Sequence, residues 1–387
     1  MIIARASQLE SQDIEEFSWF SLRAYHNTKF TAERIIVNHQ LKKVHFRNAE
    51  KQAEQIRFFL LQAREYFEAS KAVTLVTRPV LLYYSAMCLA TAEFLFKQSG
   101  DSSLDRARES HRHHGLSFLN GISLKDRGNT TIQSAAALIA RPATRNVGER
   151  FGTFELWHRS AREYPTAGKV SERQGLSGSH IETFGVLAFA RDERFSLVPE
   201  SGVTLLTAIK NIPGMISFLA QFGEGSNLVR AYVNADFDPA AKRSTTSITI
   251  HPGNNANIAA FFDRVEFDAN DIGGVEFTEL PSGGIIKITN TESGLVRFRL
   301  PACTSDKFPN VYFCTSPIQD HLNEFGLIYI ALYIVGNYAR YYPDYWIYDL
   351  EKNTQLGMFI EHLLDVAERR IGLLTLSELA RVFYVPS

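Results

Sequence analysis

The stretch "LLYYSAMCLATAEFLF", Leu81–Phe96, limits what this chain of 387 residues can fold into more than any other. It is apolar on nearly every side. A helix of that kind belongs in the middle of a bundle, walled by its neighbours. A bilayer span takes about 20 predominantly apolar residues. This run is shorter and carries Glu93, and the other greasy run, Phe325–Val335, is only 11 residues long. A membrane is therefore not the expected surrounding. Thr77 offers a cap for the helix, Pro79 suits its first turn, and Gly100 is a stop signal. Glu93 must find a partner inside the bundle or face a polar seam.

The neighbours can be read on both sides. Residues 47–70 place Ile56, Phe59, Leu60, Ala63 and Phe67 on one helical face. Thr130–Pro142, "TTIQSAAALIARP", reads as a shorter helix ended by proline. Residues 140–200 are rich in Arg, Gly and Ser and show few clear periods. Thr204–Phe222 has a helical pattern with a break near Pro213. The pattern changes near Gly223: "VEFD", "VEFTEL", "IIKIT" and "LVRFRL" alternate apolar with polar residues, separated by "NDIGG", "PSGG" and "NTESG". That predicts an antiparallel β unit with one covered face and one wet face. From Pro317 helices return, one buried and one amphipathic with Phe359, Leu363, Val366 and Ile371 on one side. The expectation is an α+β protein in three parts: an N-terminal helical region over 1–222 with its core in 47–142, a β unit over 223–316, and C-terminal helices over 317–387 that complete the bundle.

Hydrophobic residues make up 45% of the chain, which suffices for a packed core and excludes a disordered chain. The net charge of -1 conceals an uneven distribution, because residues 106–174 hold 12 Lys and Arg against 6 Asp and Glu. A basic segment in a neutral protein fits an anionic partner such as RNA or a nucleotide, or is spread over solvated helix faces. Three cysteines, none in a C-x-x-C pair, argue against a disulfide framework. With no secretory apolar core near Met1, the expected location is the cytoplasm.

Several blocks, taken in order, resemble the YaaC-like protein family. They are Gln62–Leu95 with its Arg-Pro step and Leu-Tyr-Tyr helix, "HHGLSF" (His113–Phe118), "GTFELW" (Gly152–Trp157), "LLTAIKNIPGM" (Leu205–Met215) and "YARYYPDYW" (Tyr338–Trp346). The resemblance implies a helical core similar to HEPN domains, built from the N- and C-terminal segments with the β unit inserted, and pairing into a homodimer. It also implies one of two activities, since some HEPN domains are metal-independent ribonucleases with an Arg-x4–6-His motif and others only bind RNA or nucleotides.

The candidate chemistry centres on "RARESHRHHG". Arg106 and His111, and Arg108 and His113, are Arg-x4-His pairs, and Arg108 and His114 an Arg-x5-His pair, so all three match the spacing of that motif. Histidine can move protons near neutral pH, and arginine can hold the charge of a phosphoryl transition state. Arg106, Arg108, His111 and His114 are thus the catalytic candidates. The alternatives are phosphate binding and plain solvation. Tyr83, Tyr84, Arg112, His113 and Arg340 are candidates for contacting a ligand. Tyr83 and Tyr84 read equally as core residues with satisfied hydroxyls, and Arg340 as a cation at a helix C-terminus. Adjacent histidines seldom share one metal ion, and no further ligand completes a set, so neither metal nor cofactor is expected. The residues name no reaction. A binding protein, a ribonuclease and a dimeric scaffold all remain open.

Overall fold

Chain-local signals set the helices. The computed structural model describes residues 5–9, 13–97, 104, 112–145, 148–161, 171–174, 181–184, 195–238, 243–250, 266–267, 272–280, 283–290, 298–299, 303–304 and 310–386. Helix α1 (Ile14–Leu22) starts at Asp13, whose carboxylate accepts from the Glu16 amide, and α2 (Thr28–His39) starts at Asn27, which caps Phe30 in the same way. Helix α3 (Phe46–Ala72) buries Ala49, Ala53, Ile56, Leu60, Ala63 and Phe67, a stripe at helical spacing. Then come α4 (Arg78–Lys97), α5 (Thr153–Ser160), and the short α6 (Leu205–Ile209) and α7 (Ile216–Gln221), with Pro213 in the break between them. Helices α8 (Glu324–Tyr341), α9 (Pro343–Glu351) and α10 (Gln355–Ala380) complete the set among the described residues.

Helix α4 is the axis. It packs against α3, α5, α8 and α10, so helices from both halves of the sequence wall it in. Its length and composition would suit a bilayer, but 78% of its most apolar window is buried inside the protein. The apolar surface is covered by other helices. Glu93 finds its partner one turn on: Lys97 Nζ lies 2.6 Å from Glu93 and 2.7 Å from Glu378 of α10. Burying ions costs several kcal/mol each. Leu82, Leu89, Phe94, Leu95 and Phe96 on the same helix are fully buried. Each contributes roughly 1.5–3 kcal/mol against that cost. The Cys88 thiol, pushed up to about 12 by burial, stays protonated and acts as packing.

The corner that joins α8, α9 and α10 is closed by a buried carboxylate. Asp349 accepts from Tyr338 Oη (2.8 Å), Thr130 Oγ1 (2.6 Å) and Thr354 Oγ1 (3.0 Å). Pro343 opens α9 and Thr354 caps α10, so the chain turns where the sequence puts its helix punctuation. A parallel pair, Arg5–Leu9 with Val382–Pro386, lies beside α10, and its Tyr384 meets Phe17 of α1 edge-on.

The β unit is an eight-stranded antiparallel sheet ordered Ile272–Leu280, Gly283–Asn290, Arg243–Ile250, Leu228–Asp238, Asn310–Cys314 and Cys303–Thr304, with Ile181–Phe184 and Ser171–Gln174 attached. Strand Leu228–Asp238 carries Arg243–Ile250 along one edge. Its other edge is shared: Leu228 to Tyr232 pair with Cys314 to Asn310, and Asn234 to Phe237 pair with Phe184 to Ile181. Two strands therefore come from the Arg/Gly/Ser-rich stretch that shows no clear period. At the seam with the helices, Asn227 N donates to Lys210 O at 2.9 Å, and Cys314 Sγ donates to Asn211 Oδ1 at 2.9 Å. The "KNIPG" turn is thus where sheet and helical core meet.

A helix expected from the sequence is also replaced. Thr130–Pro142 does not form a helix. A six-residue 3-10 turn, Ile132–Ala137, closed by a Thr131–Ser134 capping box, leads into strand Leu138–Pro142. That strand pairs with Leu116–Asn120 and Val203–Thr204. Leu138 and Ala140 alternate into the core, and this period-two burial overrides the helical propensity of the alanines.

Candidate functional site

The Tyr-Tyr pair divides its work between core and surface. Tyr83 is buried among Tyr329 and Tyr333 of α8, at centroid distances of 5.7 and 5.5 Å, and burial holds its phenol well above the ordinary range. Tyr84, one position on, is half-buried and stacks on Tyr66 of α3 at 5.4 Å. His114 meets both. Its Nδ1 shares a 2.9 Å hydrogen bond with the Tyr83 hydroxyl, and its ring lies 6.3 Å from Tyr84 and 6.2 Å from Tyr333. Arg340, exposed in the last turn of α8, donates to Tyr84 Oη at 3.3 Å and lies over the ring of Tyr341 at 5.0 Å. The Tyr333 hydroxyl donates to Leu116 O at 2.7 Å, which anchors the segment that follows His114.

A close backbone crossing delivers His114 to this place. Gly115 and Gly152 both adopt positive φ, at +84 and +102°. A Cβ built on Gly152 would sit 2.2 Å from Gly115 Cα, so only glycine fits there. Across the contact, Thr153 N donates to His113 O (2.8 Å) and Phe154 N to His114 O (3.0 Å). The first turn of α5 thus uses its otherwise unpaired amides to clamp the two histidines.

Burial and the positive charges of Arg340 and His113 lower the His114 pKa, which favours neutral imidazole. His158, buried in α5 with Nε2 2.8 Å from His321 O, is lowered chiefly by burial too. The sign follows. Below about pH 6.5 the unfolded chain takes up protons that these sites resist, so stability falls with falling pH. Thermal unfolding midpoints should drop between pH 7.5 and 5.5, and His158→Gln should flatten that dependence. An unchanged slope in the variant would contradict the assignment.

A family model described as YaaC-like Protein matches residues 22–129 and 180–379, well over half of the chain. The chain belongs to the YaaC-like protein family. No curated protein and no solved structure matches it. Of the YaaC-like blocks, the Leu-Tyr-Tyr helix, His113–Gly115 and the α8 end at Tyr338–Tyr342 come together around His114. The Gly152–Trp157 block falls between the two matched segments: Gly152 crosses Gly115 of the first, and Trp157 packs against Gly326 and Phe325 of the second.

Tyr83, Tyr84, His114 and Arg340 are brought together, with exposed His113 next to them on the chain and exposed Arg112 preceding it. Arg106, Arg108 and His111 lie outside the described residues. Of the basic segment, Arg127 is paired with Asp344 and Arg159 with Glu155. Among the described residues, no group of three or more His, Cys, Asp or Glu side chains could hold a metal ion. Sequence reading missed Tyr66 and Tyr333. Tyr66 stacks on the nearby Tyr84, whereas Tyr333 meets Tyr83 and His114 from the far half of the chain, and nothing local tied it to them.

Proposed function

We propose that the chain is an RNA- or nucleotide-binding protein whose ligand sits at the Tyr84–His114–Arg340 cluster. One observation carries this reading: an exposed guanidinium bonds the hydroxyl of a half-buried, stacked tyrosine beside a clamped imidazole. Nucleobases stack on aromatic and guanidinium faces, and phosphate pairs with arginine. The excess of positive charge in residues 106–174 supports the same ligand class. The likeness of the helical core to HEPN domains belongs to this reading, and the central place of the Tyr83-Tyr84 helix supports it.

The test is a binding isotherm with a labelled oligoribonucleotide. Arg340→Ala and Tyr84→Ala should each weaken affinity by about 5- to 150-fold, the range for loss of one stacking or charged contact worth about 1–3 kcal/mol. Tyr84→Phe, which keeps the stack, should change it little. Affinity should fall as salt rises. Equal affinities in all variants, or indifference to salt, would overturn the assignment.

The ribonuclease reading is favoured by a single observation, the Tyr83–His114 hydrogen bond on an imidazole held neutral, as a general base requires. The same samples decide it. RNA cleavage in chelator that disappears in a His111→Ala, His114→Ala double variant supports it; intact RNA leaves binding alone.

A further inference from the structure

Phe151 is half-buried and flanked by two groups that nucleic acid favours. The Arg145 guanidinium lies 4.3 Å from the centre of its ring, and the His113 imidazole meets it edge-on at 4.9 Å. The trio is built by a small hairpin. Thr144–Arg145 pairs with Glu149–Arg150, and Phe151 N donates back to Ala143 O at 3.4 Å. Gly148 is exposed at φ +88, and a Cβ built on it would meet nothing within 4 Å. His113 itself is exposed.

Among the described residues, Phe151 is not one of the side chains packed into the helical core. A guanidinium laid on an aromatic ring is a flat cationic platform. Such a platform can stack a base and attract its phosphate. Glu149, opposite Arg145 in register, is the acidic residue of the hairpin, and Arg150 and Arg112 outnumber it. The trio is also next to the cluster already described. His113 and His114 are consecutive, one peptide unit of about 3.8 Å apart, and both carbonyls are held by the first turn of α5. His113 faces Phe151 while His114 faces Tyr83, so one clamped dipeptide serves both places.

We infer that Arg145, Phe151 and His113 form a second nucleotide subsite continuous with the Tyr84–His114–Arg340 cluster, and that the ligand is a single-stranded oligonucleotide rather than a free mononucleotide. This inference rests on the proposed function above. It adds a length requirement, which the first cluster alone does not impose.

The test uses the full chain with adenosine monophosphate and with oligoadenylates of increasing length. Wild-type affinity should rise about tenfold or more from the mononucleotide to the oligomers, as expected for one additional stacked base. Arg145→Gln, Phe151→Ala and the more conservative Phe151→Leu should flatten that rise and leave the mononucleotide affinity unchanged. Tyr84→Ala should weaken both. If wild type binds mononucleotide and oligomers equally, or if Arg145→Gln and Phe151→Leu keep the full rise, the second subsite is overturned and the first cluster stands. If the protein binds neither ligand, both proposals fall.

Discussion

Gly152→Ala destabilises the protein by roughly 2–6 kcal/mol, the sum of a backbone-strain cost of about 1–3 and an overpacking cost of about 1–3. The strain arises because Gly152 sits at φ 102 and ψ 175, a region that is essentially reserved for glycine. The overpacking arises because the new methyl would lie 2.2 Å from Gly115 Cα and 2.3 Å from Gly115 N. These are backbone atoms, which cannot swing aside as a lysine tip could. The variant must part the two segments. The bonds from Thr153 N and Phe154 N to the carbonyls of His113 and His114 then lengthen or break, and His114 loses its fixed approach to Tyr83. Denaturant unfolding measures the loss. A change below about 1 kcal/mol would mean that the crossing is looser than described.

Glu324→Ala is expected to cost about 3–5 kcal/mol, the usual penalty for removing one partner of a buried ion pair. Glu324 Oε1 and Oε2 accept from Arg370 Nε and Nη2 at 2.8 and 2.7 Å, a fork that ties the start of α8 to the middle of α10. Both residues are buried. Without the carboxylate, the guanidinium faces a low-dielectric interior. The partner control separates charge burial from simple loss of packing. A Glu324→Leu, Arg370→Met double variant should recover most of the stability, because replacing a buried pair with apolar side chains is often neutral or better. If the single variant unfolds at the wild-type midpoint, the pair contributes nothing net and α8 is held by packing alone.

How much of this could be read from the chain depends on whether the signal was local. The period and polarity of Leu81–Phe96 were enough to place it at a bundle axis, and the stripe of α3 and the greasy run of α8 marked its neighbours. The break at Pro213 was legible for the same reason, as a property of a few adjacent residues, while the Gly100 stop lies outside the described residues. Strand Leu138–Pro142 was not legible, because its partners Leu116–Asn120 and Val203–Thr204 decide its conformation and lie far away in sequence. Strands Ser171–Gln174 and Ile181–Phe184 were hidden in a polar stretch whose pairing depends on Leu228–Asp238. The site divides along the same line. Tyr83, Tyr84, His114 and Arg340 could be singled out by type and by their place in family-like blocks. That Arg340 would reach the hydroxyl of Tyr84 across 256 positions had no trace in either segment. Phe151 and Arg145 were missed, although an aromatic between Arg150 and Gly152 in a basic segment was a usable hint.

The most direct measurement is photochemical cross-linking of a thiouridine-bearing oligoribonucleotide to the full chain, with adducts mapped by mass spectrometry. Adducts should fall on peptides carrying Tyr84, His113 and His114, and Arg340 and Tyr341, and should disappear in excess unlabelled RNA. Adducts confined to the sheet strands between Leu228 and Cys314, or no competable adducts at all, would contradict a ligand site at the place where α4, α8 and the clamped histidines meet.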